Sequence, residues 1–529
     1  MILRRLAVVF AVAVLLCTVP ASAARSPDEI VLADSTEFQT LDPLYMFGSS
    51  AVRLGGLIYS QLFHWNANGD LIPCVATRIP TLANGGISKN GLLITYDLRH
   101  DVKWADGVPL TARDIIFTHD AFLNPRNSVA SRQPDDRIAS IRAPNPFTVV
   151  IRLREPYSAF IARFNWPILP AHLLARYSSL DRVDYNAQPV GSGPYRVLEW
   201  RRGDHLILMR NENYWGPKPR IARITIRFIS SPSTIVTELK SGDIDGASII
   251  DPSYVKTFMS DPRFEMQKTS GAFGILAFNT SHPLLSDVRV RHAIAQAIDR
   301  VTVVRSATEG FDDPSQPGRA MLGWAYDPSI KELPFDPAAA RKLLKAAGWQ
   351  LGTNGILTKG GQPFDLNLAT QTGHVQLAIE ANEIAQDLKA VGIQVNIQQY
   401  TDPEYFAVQN GVLAAGRFDV TLSRFGAGDA PFDVADYLGC DRAGKPRTYN
   451  FSRFCGREMQ RAMRVALTTY DKRKELQAFH VVQLEMERQV PLIVMSRVYY
   501  FYVYSSRLHG FVSTPYGEFE NVGSWWLAS

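Results

Sequence analysis

The sequence is poor in cysteine, with 4 in 529 residues, and it lacks the spacings in which cysteine and histidine hold metal. There is no His-Glu-x-x-His and no Cys-x-x-Cys, and the ten histidines are scattered, so no zinc signature is present. No glycine-rich loop ends in Gly-Lys-Ser/Thr, which leaves no phosphate cradle of that type. Gly-x-Ser-x-Gly is also absent, and Val190-Gly191-Ser192-Gly193-Pro194 reads as a tight turn rather than a nucleophile elbow. Ser253-Tyr254-Val255-Lys256 matches Ser-x-x-Lys, but two fixed positions in four recur about once by chance in a chain this long. Its usual companions Ser-Asp-Asn and Lys-Thr-Gly are missing, so a serine hydrolase is a remote alternative. Lys+Arg 56 against Asp+Glu 51 leaves only +5, with no basic block of five or more, so no nucleic-acid surface is indicated. Beyond the N-terminus no apolar run approaches the ~18 residues of a membrane span. There is no internal repeat, and neither charge nor composition indicates disorder.

What is present is an ordinary globular composition, 46% hydrophobic and 20% charged, in a chain long enough for roughly three or four domains at about 150 residues each. The first segment reads as an export signal. Arg4 and Arg5 precede the apolar run Leu6 to Cys17, and Ala21-Ser22-Ala23 offers small residues to a signal peptidase. Residues 1–23 are expected to be removed, an uncleaved anchor being the alternative, and loss of Arg4 and Arg5 takes the net charge to about +3. The exported chain keeps Cys74, Cys440 and Cys455. In an oxidising compartment Cys440 and Cys455, with Gly444 and Pro446 bending the chain between them, are expected to pair and Cys74 to stay free. Three buried thiols are the alternative.

Strand and helix signals are mixed, giving an α/β protein. Leu92 to Leu98, Phe147 to Leu153 and Val498 to Tyr504 read as strands. In Ile221 to Ile229 the residues Ile224, Ile226 and Phe228 share one face. A helix capped by Ser286 carries an apolar stripe from Val290 to Val301. Asp336-Pro337 opens another that ends at Gly348, and a third runs from Val375 to Val391 and stops at Gly392. Gly456 to Gln489 holds two more, divided near Tyr470-Asp471.

Several blocks in one order resemble the family 5 extracellular solute-binding proteins of ABC importers, the dipeptide, oligopeptide and nickel group. Gln39-Thr40-Leu41-Asp42-Pro43 is similar to the family's start, and Ile58 to Phe63 followed by Ile72 to Ala76 to its next block, where Cys74-Val75 departs from the usual pair. Thr95 to Asp114, containing Trp104-Ala105-Asp106-Gly107, is the most specific stretch. Pro189 to Tyr195, Asn211 to Trp215, Lys240 to Asp245, Asp287 to Ile294 and Ala339 to Trp349 follow in the family's order. Most of these residues also read as scaffold: buried aromatics and turns.

The resemblance implies a two-lobed periplasmic-binding-protein fold of class II, of the large peptide-binding type. It has an extra subdomain in the first lobe and two hinge crossings, near Ile275 to Asn279 and Leu492 to Met495. Residues 24–276 plus 495–529 would form lobe 1 and residues 277–494 lobe 2. It implies a periplasmic, monomeric, non-enzymatic receptor without cofactor or resident metal. Such a receptor takes a peptide or a related small amine-bearing solute in the cleft and hands it to permease subunits in the inner membrane. An opine, a sugar or a nickel complex on the same fold is the alternative.

Ligand residues follow from the dipeptide-type members, which this chain resembles most in Cys440 and Tyr449 to Cys455. Phe418 to Ser423 resembles the central strand, and Phe425-Gly426-Ala427-Gly428-Asp429 follows. Asp429 falls, with one residue of slippage, where an aspartate holds the ligand ammonium. Its alternative is a turn residue beside Gly428. Phe425 falls at an aromatic wall with Phe432 as a neighbour, and Gly48 and Ser49 lie in a segment that offers backbone to an extended peptide. The arginine that holds the ligand carboxylate in dipeptide members is missing from Ala369 to His374. Arg424 is a candidate substitute, although alternation points it away from Ser423 and Phe425. His374 is a solitary imidazole in that lobe and no basis for direct nickel binding.

Overall fold

In a computed structural model, the structure describes residues 26, 28–46, 49–66, 70–129, 132–247, 252–407, 410–426, 431–440, 449–514 and 517–528. The side chains of 49–53, 252 and 433 are outside this description. So are residues 1–23, Gly48, Gly428 and Asp429, and with them the expectations placed there; of Ser49 only the backbone is described.

The strands used below are β1 (Glu29–Asp34), β2 (Leu93–Asp97), β3 (Ile138–Asn145), β4 (Thr148–Leu153), β5 (Tyr195–Arg201), β6 (His205–Arg210), β7 (Arg223–Phe228), β8 (Gly246–Ala247), β9 (Phe264–Phe278), β10 (Asp365–Gln371), β11 (Gln394–Tyr400), β12 (Val420–Gly426) and β13 (Leu492–Ser505). The helices are α1 (Ser49–Ile58), α2 (Ala112–Leu123), α3 (Phe160–Arg163), α4 (Val288–Ala297), α5 (Arg300–Thr308), α6 (Pro337–Ala346), α7 (Val375–Ala390), α8 (Val434–Leu438), α9 (Arg457–Thr468) and α10 (Lys472–Gln489).

Ten strands form one sheet in the order β11-β10-β12-β9-β13-β8-β1-β7-β6-β5. Its centre is the antiparallel pair β9 and β13, running from Phe264↔Ser505 to Ala277↔Leu492. The amino-terminal half of β13 lies beside the part of β9 that pairs with β12, from Ala272↔Gly426 to Phe278↔Val420. Its other end pairs with β8, which is parallel to β1. Register shifts at Ser270/Ala272 and Gly274/Ile275 interrupt the pair midway, and such bulges bend a ladder locally. β9 changes character there: its first five residues are at most half-buried, while Thr269 to Phe278 are all buried.

The apolar cores separate along this sheet. One, with Ile30, Leu32, Leu206, Ile224, Tyr502 and Trp525, covers the β1–β7 end. A second lies under β2, β4 and α3, with Trp104, Ile151 and Phe160. On the β10–β12 side, α4, α5, α6 and α7 cover one face through Ile294, Leu344 and Ile384. Tyr405, Phe425, Val434, Met459 and Phe479 fill the other face. A three-stranded sheet β2-β4-β3 carries the second core.

The local chemistry follows the sequence closely, with two departures. Ile224 and Ile226 are fully buried on one face of β7 while Thr225 and Arg227 are not. Asp336 caps α6, with Pro337 in its first turn, and Asp471 caps α10. The stripe from Val290 to Val301 is not one helix: α4 stops at Ala297, and Asp299 caps α5 through Thr302 N–H. Asp287 rather than Ser286 caps α4, because the Ser286 hydroxyl is spent on the Pro283 carbonyl. In the segment Val190 to Pro194 the glycines serve close approach. A Cβ on Gly191 would sit 1.8 Å from the Ile58 carbonyl oxygen, and Gly193 N–H donates to that same oxygen at 2.9 Å.

Asp42 is fully buried; its Oδ1 accepts Leu44 N–H at 2.9 Å and its Oδ2 has no hydrogen-bond partner. Burial pushes its carboxyl up to about 7, against the Leu44 bond that lowers it. The folded state then keeps a proton that the unfolded chain loses near pH 4, so stability falls as pH rises from about 4 to 7, by about 4 kcal/mol in all. Asp42→Asn should flatten that stretch of a pH series of urea midpoints. Cys440 and Cys455 form a disulfide across 15 residues, and Cys74 is a buried free thiol. A chain of residues 24–529, unfolded without reduction, should therefore show one titratable thiol. Cys455→Ser should cost roughly 3 kcal/mol by the chain-entropy account.

Candidate functional site

In an open α/β sheet, ligands bind outside the carboxyl ends of parallel strands. Here β10 is parallel to both β11 and β12, so Gln371 ends beside Tyr400 and level with Ser423, while β12 runs on to Phe425 and Gly426. The Gln371 carbonyl Oε1 accepts the Ser423 hydroxyl at 2.7 Å, and its Nε2 donates to Asp402 Oδ1 at 3.3 Å. His374 Nε2 lies 3.5 Å from the same oxygen. Neither Asp402 nor His374 is buried, so this polar group faces solvent beyond the strand ends.

Phe425 lies among rings. It stacks on Phe451 at 5.1 Å and meets Tyr437, Tyr449 and Phe406 edge-on at 5.7 to 6.3 Å. It is only 6% exposed, whereas Phe406 is 40% exposed at the rim of the same cluster. Phe432 packs against Trp324 and Phe479 at 6.0 and 6.1 Å. Trp324 is 42% exposed, with the Lys472 ammonium over its ring. Reasoning from chain order finds Phe425 and Phe432, but not Trp324 or Phe406, which arrive from distant segments.

Strand alternation turns Arg424 to the opposite face, where its guanidinium pairs with two carboxylates while its buried Nε has no hydrogen-bond partner. Its guanidinium reaches Glu380 Oε1 on α7 at 2.8 Å and Asp312 Oδ2, after α5, at 3.1 Å. Both carboxylates are buried. Burial raises the Asp312 and Glu380 pKa values, and the adjacent guanidinium opposes this. Burial works against the Arg424 charge too, but its two carboxylates outweigh it and hold its pKa above the usual value. Asp312 Oδ1 also accepts Tyr499 N–H at 3.1 Å, which ties the cluster to β13. Next along β13, burial raises the Tyr500 phenol, Arg424 opposes, and Asp312 and Glu518 add to the rise. Tyr500 therefore stands as a neutral phenol on β13, opposite Thr269 of β9. No sequence pattern announces these four residues, which belong to four different segments.

Lys256 of the Ser-x-x-Lys match is paired with Glu309 at 2.6 Å, in an exposed position. Among the described residues, no group of three or more His, Cys, Asp or Glu is arranged to hold a metal ion. No helix among them is long and apolar enough to cross a membrane.

The family model for bacterial extracellular solute-binding proteins, family 5, matches residues 71–445. The chain belongs to this family. It is 27% identical to protein XP55 of Streptomyces lividans over 97% of this chain and 92% of that one. Two solved structures share its fold. NikZ from Campylobacter jejuni, in complex with Ni(L-His), has a TM-score of 0.83 at 24% identity, covering 95% of this chain and 100% of that one. The oligopeptide-binding protein AppA from Bacillus subtilis, in complex with a nonapeptide, has a TM-score of 0.82 at 22% identity, covering 95% and 99%. The family 5 solute-binding protein described here is thus a binding-protein fold along nearly its whole length.

In this protein Arg424→Ala would leave Asp312 and Glu380 buried without their cation. Removing one partner of a buried pair costs about 3–5 kcal/mol, to be read from the urea midpoint at pH 8. The loss should shrink at pH 5, since burial already favours the protonated form of both carboxyls.

Proposed function

We propose that this chain is the periplasmic receptor of an ABC importer. In this reading it is exported by cleavage after Ala23 and acts as a monomer without catalysis. It captures a short peptide, or a related amine-bearing solute, between lobe 1 (24–276 plus 495–529) and lobe 2 (277–494), and delivers it to inner-membrane permease subunits. Family membership supports the receptor role, and the commitment of Arg424 to Asp312 and Glu380 carries the ligand class. A guanidinium already holding two carboxylates offers no charge to a third, so the ligand acid is not received there.

Asp429 supplies the ammonium contact in this reading. It is supported by the resemblance of 418–429 to the dipeptide-type segment and by the place of β12, whose end at Gly426 borders the crossing strand β9 at Ala272. Gly428, Gly48 and Ser49 offer backbone to an extended ligand, while Phe425 and Phe432 hold the apolar wall. Ligand contacts to both lobes exist only when the lobes are closed, so binding shifts the population to the form that the permease reads.

A second reading, a metal chelate, has one observation in its favour: His374 and Asp402 stand together at the strand ends. A chelate that brings its own ligands needs no three-residue site.

Native mass spectrometry of protein purified from periplasm, followed by acid release and sequencing, separates these readings. Short peptides in the released fraction are the expected result; a chelate, opine or sugar would transfer the role to that solute. Asp429→Asn should weaken a released peptide at least tenfold, about 1.4 kcal/mol, with melting of the empty protein unchanged. Unaltered affinity would remove Asp429 from the site.

A further inference from the structure

One ion pair joins two cores that share no strand. Arg163 ends α3, which is rooted by Phe160 and by the stacking of Phe160 on Phe164 at 4.9 Å in the core under β2 and β4. Asp436 lies on α8, which is rooted by Val434 and Leu438 in the core of the β10–β12 side. Arg163 Nη2 donates to Asp436 Oδ2 at 2.7 Å and to the Phe432 carbonyl at 3.3 Å. The side chains are 17% and 22% exposed, so the pair is largely shielded from water and from salt.

The other contacts along this seam are apolar, neutral or exposed: Leu467 of α9 is buried in the core under β2 and β4, and Phe432, Ala435 and Tyr470 pack against it. Ser158 N–H donates to the Leu467 carbonyl at 2.8 Å, and the Tyr470 hydroxyl donates to the Tyr157 carbonyl at 3.1 Å. Neither joins two charges. Arg464 and Glu155 meet at 3.2 Å with 76% and 40% exposure, and such surface pairs contribute little. Of the two ion pairs across the seam, Arg163–Asp436 is the shielded one, and Arg163 also holds Phe432 by its backbone, next to the Trp324 and Phe479 rings.

We propose that Arg163 is the closure-positioning residue of this receptor. It does not touch the ligand; it stabilises the closed arrangement by holding Asp436 and the Phe432 carbonyl, and so lowers the ligand concentration needed to fill the cleft. The proposal rests on the two-lobed receptor reading. When the lobes part, guanidinium and carboxylate return to water and the interaction is lost, so it favours one state only. A ligand that binds that state gains affinity by the same factor.

The test uses the full exported chain as wild type, Arg163→Ala, Arg163→Lys, Asp436→Asn and the double variant Arg163→Ala/Asp436→Asn. Two readouts are taken: affinity for an equimolar tetrapeptide library by native mass spectrometry, and the radius of gyration by small-angle scattering. Arg163→Ala and Asp436→Asn should each lose about 30-fold in affinity, about 2 kcal/mol, through faster release, and each should have a larger radius. Arg163→Lys should recover part of both, and the double variant should be no worse than either single one, as coupling through one pair requires. Wild-type affinity and radius in the single variants, or additive losses in the double, would overturn the proposal. If no variant binds the library, the peptide reading fails, and the radius alone decides this one: enlarged supports it, unchanged overturns it. Asp436→Asn, being isosteric, keeps the test open should an Arg163 variant not fold.

Discussion

The antiparallel pairing of β9 with β13 is the constraint on which the molecule depends. Each strand is a full member of the sheet at both of its ends, so the hydrogen-bonded ladder is continuous from β11 to β5. A two-part receptor needs its parts to move relative to one another without exposing unpaired backbone, because a buried unpaired amide is costly. A bulged two-strand bridge meets both demands: the ladder is kept, and the register shifts at Ser270/Ala272 and Gly274/Ile275 supply the local bend. The apolar cores follow the same division except at α9, whose Leu467 is buried in the core under β2 and β4 while Met459 and Met463 lie in the other.

Beside this bridge the protein buries a cation between two carboxylates. Such an arrangement is a weak contributor to stability, because desolvating three charges offsets most of their attraction. Its effect is positional. Glu380 comes from α7, Asp312 from the segment after α5, and Asp312 also accepts Tyr499 N–H from β13. Helix face, loop and crossing strand are thereby fixed around Arg424, whose guanidinium is spent on these two carboxylates. The same residue that looks like a substitute carboxylate holder in the sequence is thus a structural cation in the fold.

Much of the architecture was legible because it is local. Ile224 and Ile226 alternate with Thr225 and Arg227 in a period of two, and Asp336-Pro337 and Asp471 start helices by supplying a cap where the backbone needs one. Where locality failed, the reason is physical. The stripe from Val290 to Val301 keeps its helical period across a break, because Ile298 and Val303 remain buried on both sides of Asp299; the period reports the core, not chain continuity. Gly191 was legible as a glycine in a turn, but its cause, the Ile58 carbonyl, lies far away in sequence. Phe425 was legible as aromatic and next to the candidate site, while its four ring neighbours come from 406, 437, 449 and 451. Alternation gave the direction of Arg424, but its partners Asp312 and Glu380 were illegible, since charge pairing across segments leaves no periodic trace.

The family's blocks therefore specify scaffold more than ligand. Trp104 is fully buried, Gly107 turns the chain with φ +90°, and Gly193 donates to the end of α1. Each of these residues serves the backbone or the core rather than a ligand. Chains of nearly equal structural likeness hold Ni(L-His) in one case and a nonapeptide in another, so the fold alone does not choose. In the proposed receptor that choice falls to side chains beyond the carboxyl ends of β10, β11 and β12, which the cores leave exposed. A half-exposed residue such as Trp324 or Phe406 can be exchanged there with little effect on the cores. Phe425 and Arg424, one residue apart from each other on opposite faces, cannot, because each is locked into a core or a buried charge cluster. Ligand range in this architecture is set by how many strand-end residues remain outside both.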